Sequence, residues 1–345
     1  MLIQFILPAL IPLLISIFFG FLLIKIKLPI QLIDYPNFRK IHSIPTPKVG
    51  GIIIMITLFF SSILFGLLSD NVLLRYLILC LLFFLIGLLD DLFDWRYRKK
   101  LIWQLFGIVI FLIIIPVDTS KIIFSTIDLQ IPWLNYILII LWILGIVNSF
   151  NFFDGINKLA GSLAIIFFIN YFLLFYNNSQ VLTSEVCIIL IFSIFGFLLY
   201  NRTPAKIFMG DSGSMFLGFL IATLPYVFAT KEEVGIDVTY PVIITSILIM
   251  EIGYLIFNRI KNGRSPFSPD KNHLHHVLRN LNFKNQTVVL IIVLFTILLS
   301  ILAYFSHHLV FYQIVIIEVI FFGLLIVLPR SLKPIKKHKA INNTH

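Results

Sequence analysis

Charge is the first thing this sequence is short of. Only 12% of its 345 residues are charged, 59% are hydrophobic, and the mean hydropathy is +1.03. Soluble domains carry roughly 25% charge, so the composition excludes a soluble fold and implies an integral membrane protein. Cysteine is nearly absent too. Cys80 and Cys187 lie inside apolar runs without CxxC spacing and read as small buried hydrophobes rather than a disulfide or metal framework. Apolar–polar alternation is missing, which excludes a membrane β-barrel. No small-residue cleavage site follows the first apolar run, 2–24, and another span comes next, so it reads as a retained helix. The 36 Phe residues and pervasive Ile and Leu leave no support for a disordered or nucleic-acid-binding chain, despite a formal charge of +10.

What is there is a series of long apolar runs. About 20 apolar residues cross a hydrocarbon core, and about 11 segments are expected to do so: 3–24, 50–68, 73–89, 101–117, 133–147, 162–177, 185–200, 213–229, 239–257, 286–305 and 311–328. With the N-terminus outside, 23 of the 26 Lys and Arg fall inside, and only Arg75, Lys121 and Lys231 remain outside. The positive-inside rule favours that orientation. The expected fold is therefore all-α and polytopic, with a cytoplasmic C-terminus. One transmembrane domain, 1–328, carries cytoplasmic loops at 25–49, 90–100, 148–161, 201–212 and 258–285. A basic tail, 329–345, follows and reads as an anionic-lipid contact or disorder without a catalytic role.

Five inner segments hold nearly all the unusual chemistry. "GLLDDLFDWRYRKK" (87–100) places Asp90, Asp91 and Asp94 at the end of a span, where acids oppose the helix dipole. In a continuing helix Asp90 and Asp94 would share a face. Clustered carboxylates meeting a phosphate need a divalent cation, and Mg2+ takes oxygen ligands. "NSFNFFDGINKLAG" (148–161) repeats Asn148, Asn151 and Asp154 at every third position, and Gly155 then permits a tight turn. In "IFMGDSGS" (207–214), glycines flank Asp211, a candidate metal ligand, and the following amides suit a phosphate at a helix start. "SPFSPDKNHLHHVL" (265–278) brings His273, His275 and His276, with Arg264 and Lys271 nearby. Zinc is disfavoured, since no cysteine accompanies them and adjacent His275 and His276 diverge on a helix. "DYPNFRKIHSIPTPKVGG" (34–51) is a proline-fixed loop made basic by Arg39, Lys40, His42 and Lys48, suited to an anionic ligand or lipid headgroups.

In this order and between these spans, the five segments resemble the polyprenyl-phosphate N-acetylhexosamine-1-phosphate transferases, the glycosyltransferase family 4 type. The resemblance runs from about Asp34 to Leu278. Asp94 and "HLHH" (273–276) look like the WecA/TagO branch, whereas the related muramoyl-pentapeptide branch typically has Lys at the position of Asp94. The resemblance implies that Asp90 and Asp91 are the acidic pair near the acceptor phosphate. It also implies that Asn151, Asp154 and Asp211 line a Mg2+–diphosphate centre, with Mn2+ as the alternative ion and Asp211 and Asn151 as metal ligands. Gly155, Ile156 and Asn157 would meet the uracil, Phe208 would stack on it, and the three histidines would sit over the sugar-phosphate. Two positions depart from the family pattern. Lys158 stands where a glycine is usual, and Glu251 where the span before the histidine loop tends to have Asp.

The reaction so implied moves a sugar-1-phosphate from a UDP-N-acetylhexosamine to undecaprenyl phosphate, releasing UMP and initiating cell-envelope polysaccharide synthesis. N-acetylglucosamine is the expected sugar, the bacterial cytoplasmic membrane the expected location, and membrane lipids the expected surroundings. The oligomeric state stays open, a homodimer included. Two alternatives from other classes are a secondary transporter using intramembrane carboxylates and a Mg2+-dependent membrane phosphatase.

Overall fold

A computed structural model describes residues 2–36, 44–115, 119–228, 236–266 and 272–332. Helices make up most of it. In chain order the main helices are α1 (Ile6–Lys25), α2 (Gly50–Leu64), α3 (Asn71–Phe93), α4 (Tyr97–Ile114), α5 (Pro132–Phe153) and α6 (Leu159–Asn177). They continue with α7 (Val181–Leu198), α8 (Gly210–Phe228), α9 (Thr239–Lys261), the short α10 (Leu274–Asn280), α11 (Asn285–Phe305) and α12 (Phe311–Phe321). A π-helical stretch, Phe322–Val327, leads from α12 into α13 (Leu328–Ser331). A helix lies on each expected apolar segment, and among the described residues eight helices are long and apolar enough to cross a membrane. The three others are α2, with 15 residues, α4, whose first turns carry Arg98, Lys99 and Lys100, and α8.

The helix ends follow local chemistry. Asp70 accepts the Leu73 amide at 2.7 Å to start α3, and Pro132 occupies the first turn of α5, where a missing N–H is harmless. No strand is expected from the sequence, yet among the described residues five strands of two or three residues form in the connections. β1 (Ile33–Asp34) pairs antiparallel with β2 (Thr46–Pro47), and β3 (Ile122–Phe124) lies between β4 (Ile127–Leu129) and β5 (Ile236–Asp237). These pairings satisfy backbone groups in loops and leave the architecture helical.

α8 is apolar nearly all round and packs against α2, α3 and α5. Such a helix is stable only where every face is covered. Met215, Phe216, Leu217, Phe219, Leu220 and Ile221 have no exposed surface. Phe219 stacks on Phe83 of α3 with centroids 4.0 Å apart and meets Phe111 of α4 edge-on at 5.5 Å. Side-chain hydrogen bonds also link the helices: the Tyr171 hydroxyl donates to the Ile221 carbonyl at 2.7 Å, and the Trp142 indole to the Ala222 carbonyl at 2.9 Å. Cys80 and Cys187 are free and buried, as expected of small hydrophobes.

The first turn of α8 can lie against α3 because Gly87 has no side chain. A Cβ there would collide with the Asp211 carbonyl oxygen and the Ser212 Cα. Small residues permit this backbone approach between membrane helices. Gly87→Ala is expected to destabilise the bundle by about 1–3 kcal/mol through overpacking, read as a lowered unfolding midpoint of the purified protein in detergent. Gly145→Ala, where a Cβ would meet nothing within 4 Å, serves as the control and should leave the midpoint unchanged.

Candidate active site

All five chemistry-bearing segments line one cleft of about 590 Å³. Its walls include Lys48, Asp91, Asn151, Asp154, Gly155, Ile156, Asn157, Phe208, Asp211 and the three histidines. Asp34, Thr46, Asn201 and Thr203 also line it, although no motif in the sequence marks them as site residues.

At its centre the C-terminal turn of α3 meets the N-terminal turn of α8. The Asp91 carboxylate accepts the Asp211 amide at 3.1 Å and the Ser212 amide at 2.9 Å. The amides expected to face a phosphate are therefore already bonded. Asp91 sits unfavourably at the negative end of α3 but favourably at the positive end of α8. Lys48 supports it, with Nζ 3.1 Å from Asp91 Oδ1 and donating to the Asp91 carbonyl at 3.1 Å.

Asp90 lies behind this contact and does not line the cleft. Its Oδ1 accepts the Trp95 amide at 2.9 Å, and its Oδ2 is 2.9 Å from Lys100 Nζ. Lys100 also donates to Asp211 Oδ1 at 3.0 Å, bridging two acids 121 residues apart. Burial favours its neutral amine, but Asp211 and Asp90 outweigh that and hold its pKa above the usual value. Asp94 departs from the shared face expected of a continuing helix. It ends α3 in the left-handed conformation at φ 45°, and its exposed side chain lies outside the cleft lining.

Asn151 Nδ2 donates to Asp211 Oδ1 and, at 2.6 Å, to Ser214 Oγ. Asp154 follows the end of α5, half-buried in the cleft. Burial raises its pKa well above the carboxylate range, and Asp211 and Asp91 raise it further. Asn148 points elsewhere: its amide donates to Gln104 Oε1 and the Leu144 carbonyl, both at 2.8 Å. Arg264 is exposed and absent from the cleft lining. Arg39, Lys40 and His42 lie outside the described residues.

The next loop is fixed by Asn201, a residue outside every motif. The buried Asn201 accepts the Lys158 amide at 2.6 Å and donates to the Ile207 carbonyl at 2.9 Å, tying the Gly155–Asn157 segment to that of Phe208. Lys158 takes the left-handed conformation at φ 71°, which accounts for the usual glycine there. Phe208 is held from the other side, its amide donating to the Pro47 carbonyl at 2.8 Å.

His273, His275 and His276 close the cleft. His275 packs onto Gly155 so closely that a Cβ there would strike its imidazole at 2.6 Å. Burial pushes the His275 pKa down to about 2, with His276 and His273 adding to the effect. It is therefore a neutral imidazole rather than a cation, and its buried Nε2 has no hydrogen-bond partner among the described residues.

The chemistry available is a set of oxygen donors from Asp154, Asp211 and Asn151, flanked by two lysines and by imidazoles, of which burial keeps that of His275 neutral. Among the described residues no three His, Cys, Asp or Glu side chains converge as a metal cage. An ion here would draw its remaining ligands from water or a phosphate, as Mg2+ ordinarily does.

Comparison with known proteins agrees with this chemistry. The family model described as glycosyl transferase family 4 matches residues 73–229, which include the segments of Asp91, Asp154 and Asp211. A probable undecaprenyl-phosphate N-acetylglucosaminyl 1-phosphate transferase of Bacillus subtilis is 31% identical over 281 residues, 81% of this chain and 78% of that protein. The undecaprenyl-phosphate alpha-N-acetylglucosaminyl 1-phosphate transferase of Thermotoga maritima is 31% identical over 272 residues, 79% of this chain and 81% of that one. Its counterpart in Salmonella typhi is 30% identical over 310 residues, covering 85% and 84%.

Replacing Lys158 tests the loop geometry. Lys158→Gly relieves a left-handed L-residue, worth roughly 1 kcal/mol, so the unfolding midpoint should rise or hold and turnover should persist. Lost turnover with an intact midpoint would mean that the Lys158 side chain itself meets the substrate.

Proposed function

The chain belongs to glycosyl transferase family 4, and from that premise we propose that it transfers N-acetylglucosamine-1-phosphate from UDP-N-acetylglucosamine to undecaprenyl phosphate. The products are undecaprenyl-diphosphate N-acetylglucosamine, on which envelope polysaccharide is begun, and UMP. The supporting observation is the single cleft in which five segments, separated by membrane helices, pool carboxylates, carboxamides, a lysine and imidazoles. The relatives named above are transferases, against the transporter and phosphatase alternatives.

The substrates fix where this can happen. A nucleotide-sugar is water-soluble and its acceptor is a lipid, so the reaction belongs at a membrane face. The placement of 23 of the 26 Lys and Arg in the expected inner loops and tail supports the cytoplasmic face. An oxygen of the acceptor phosphate attacks the sugar-bearing phosphorus of the UDP-sugar, and the bond from that phosphorus to the UMP oxygen breaks. A phosphate monoester has a second pKa near 6, so the acceptor is already mostly dianionic at neutral pH and no general base is required. Asp91, held by two amides and Lys48, is assigned to orientation. It fixes the α8 turn that carries Asp211.

Two anionic phosphates must meet, and their repulsion has to be offset. Lys48 and Lys100 supply part of the positive charge. A Mg2+ bound by Asp211 and Asn151, with Asp154 beside it, would supply the rest and polarise the diphosphate. Ile156, Asn157 and Phe208 are assigned to the uracil. The neutral imidazole of His275 is assigned to hydrogen bonding at the sugar-phosphate.

The test is UMP release by the purified protein from UDP-N-acetylglucosamine, with and without undecaprenyl phosphate, in Mg2+ or EDTA. Release should require both lipid and metal. Release without lipid would instead indicate a hydrolase. Asp211→Asn should reduce turnover by about 100-fold or more, the scale of losing a transition-state electrostatic group, while the protein stays folded in the membrane. Asp94→Asn should be much milder than Asp91→Asn, because Asp94 lies outside the cleft, and equal losses would overturn the roles assigned here.

A further inference from the structure

The histidine segment closes the cleft, but the groups that hold it lie outside the cleft. Glu251, on α9, is 1% exposed. Its Oε1 accepts the amide of Leu274, the first residue of α10, at 2.8 Å, and is 3.8 Å from His273 Nδ1. Its Oε2 pairs with Arg330 Nη2 of α13 at 2.7 Å. The same Arg330 nitrogen donates to the Asn272 carbonyl at 2.9 Å, Nη1 donates to the Ile326 carbonyl at 2.9 Å, and the guanidinium lies over the Tyr254 ring, 4.3 Å from its centroid. The pair therefore grips the backbone on both sides of His273, at Asn272 and at Leu274. Neither Glu251 nor Arg330 lines the cleft.

The C-terminal helix is shaped for this contact. Its π-helical stretch, Phe322–Val327, comes just before Arg330. One extra residue in a helical turn rotates everything beyond it by about 100°. Arg330 consequently faces Glu251 with its side chain 6% exposed, instead of turning away. A buried acid and a buried base are each costly alone and are retained where they pair with good geometry, and charge-assisted bonds of this kind fix orientation. Arg330, from a tail segment expected to be a lipid contact or disorder, thus packs against α9 and the histidine segment.

We propose that the Glu251–Arg330 pair is a positioning clamp for the histidine segment during transfer. It sets where the His273 and His275 imidazoles stand relative to the Gly155 loop, so that α13 helps to build the active site without contributing a group to it. This rests on the cleft being the transferase site.

The test uses the full chain in lipid vesicles, with Arg330→Met, Glu251→Gln and the double variant. Two readouts are taken. The first is histidine modification by diethyl pyrocarbonate, resolved by peptide mass spectrometry. The second is kcat and KM for UMP release. Modification of His273 and His275 should accelerate in both single variants, with His307 and His308 unchanged as internal controls. Displacing a catalytic group slightly costs about 10–100-fold, so kcat should fall by that order with the UDP-sugar KM nearly constant. The double variant should be no worse than the worse single one, since both changes release the same segment. Arg330→Lys keeps the charge pair without the fork to Asn272 and should recover part of kcat. It carries the test if Arg330→Met fails to assemble. Unchanged histidine modification, or losses that simply add, would overturn the clamp. Faster modification in the variants of a wild-type protein that releases no UMP would keep the clamp and overturn the transferase reading.

Discussion

The bond between the Asp91 carboxylate and the first amides of α8 organises the rest of the site. It joins the negative end of one helix to the positive end of another, so an acid that is badly placed on α3 becomes a cap for α8. The join needs Gly87 for clearance. Once it is made, Asp211 is delivered next to Asn151, and Lys100 folds back between Asp211 and Asp90. The apolar body of α8, covered on every side, then keeps this turn from shifting. Helix packing in the membrane and the chemistry at its edge are parts of one arrangement.

Charge balance is the second constraint. Asp90, Asp91, Asp154 and Asp211 lie close together, with Asp90 and Asp91 buried, and such a group is tolerated only with compensating partners. Two lysines, the Asn151 carboxamide and three backbone amides provide the compensation, while burial and its acidic neighbours push the Asp154 pKa up. A diphosphate and a divalent ion entering the cleft bring both signs of charge in comparable amounts. They add to this balance without overturning it. His275, kept neutral by burial, adds hydrogen-bonding capacity without adding to the charge.

The walls of the cleft are positioned from outside it. Asn201 couples the Gly155–Lys158 turn to the Phe208 segment, and the Glu251–Arg330 pair couples the histidine segment to α9 and α13. One buried polar side chain in the first coupling, and one buried pair in the second, fixes loop backbone at two points, a sparing use of polarity in a chain with so few charged residues. The glycine-to-lysine departure at Lys158 is accommodated in this way: the left-handed turn is kept, and Asn201 anchors its amide.

Much of this was legible in the residues themselves. Continuous apolar runs separated by polar segments fix a helical membrane protein, and the asymmetry of Lys and Arg supplies an expected orientation, because both follow from the transfer energetics of residues taken one by one. The acidic, amide, glycine-flanked and histidine segments announced the chemistry, since each is out of place in an oily chain. Tertiary structure alone decided which of those groups meet. It removed Asp94 and Arg264 from the cleft, set Asp90 behind Asp91, turned Asn148 toward Gln104, and brought in Lys100, Asn201, Glu251 and Arg330. Lys100 looked like any inner-face lysine, and Arg330 looked like part of a basic tail. Their roles depend on contacts spanning 111 and 79 residues, and such contacts exist only once helices pack closely enough for one side chain to reach another.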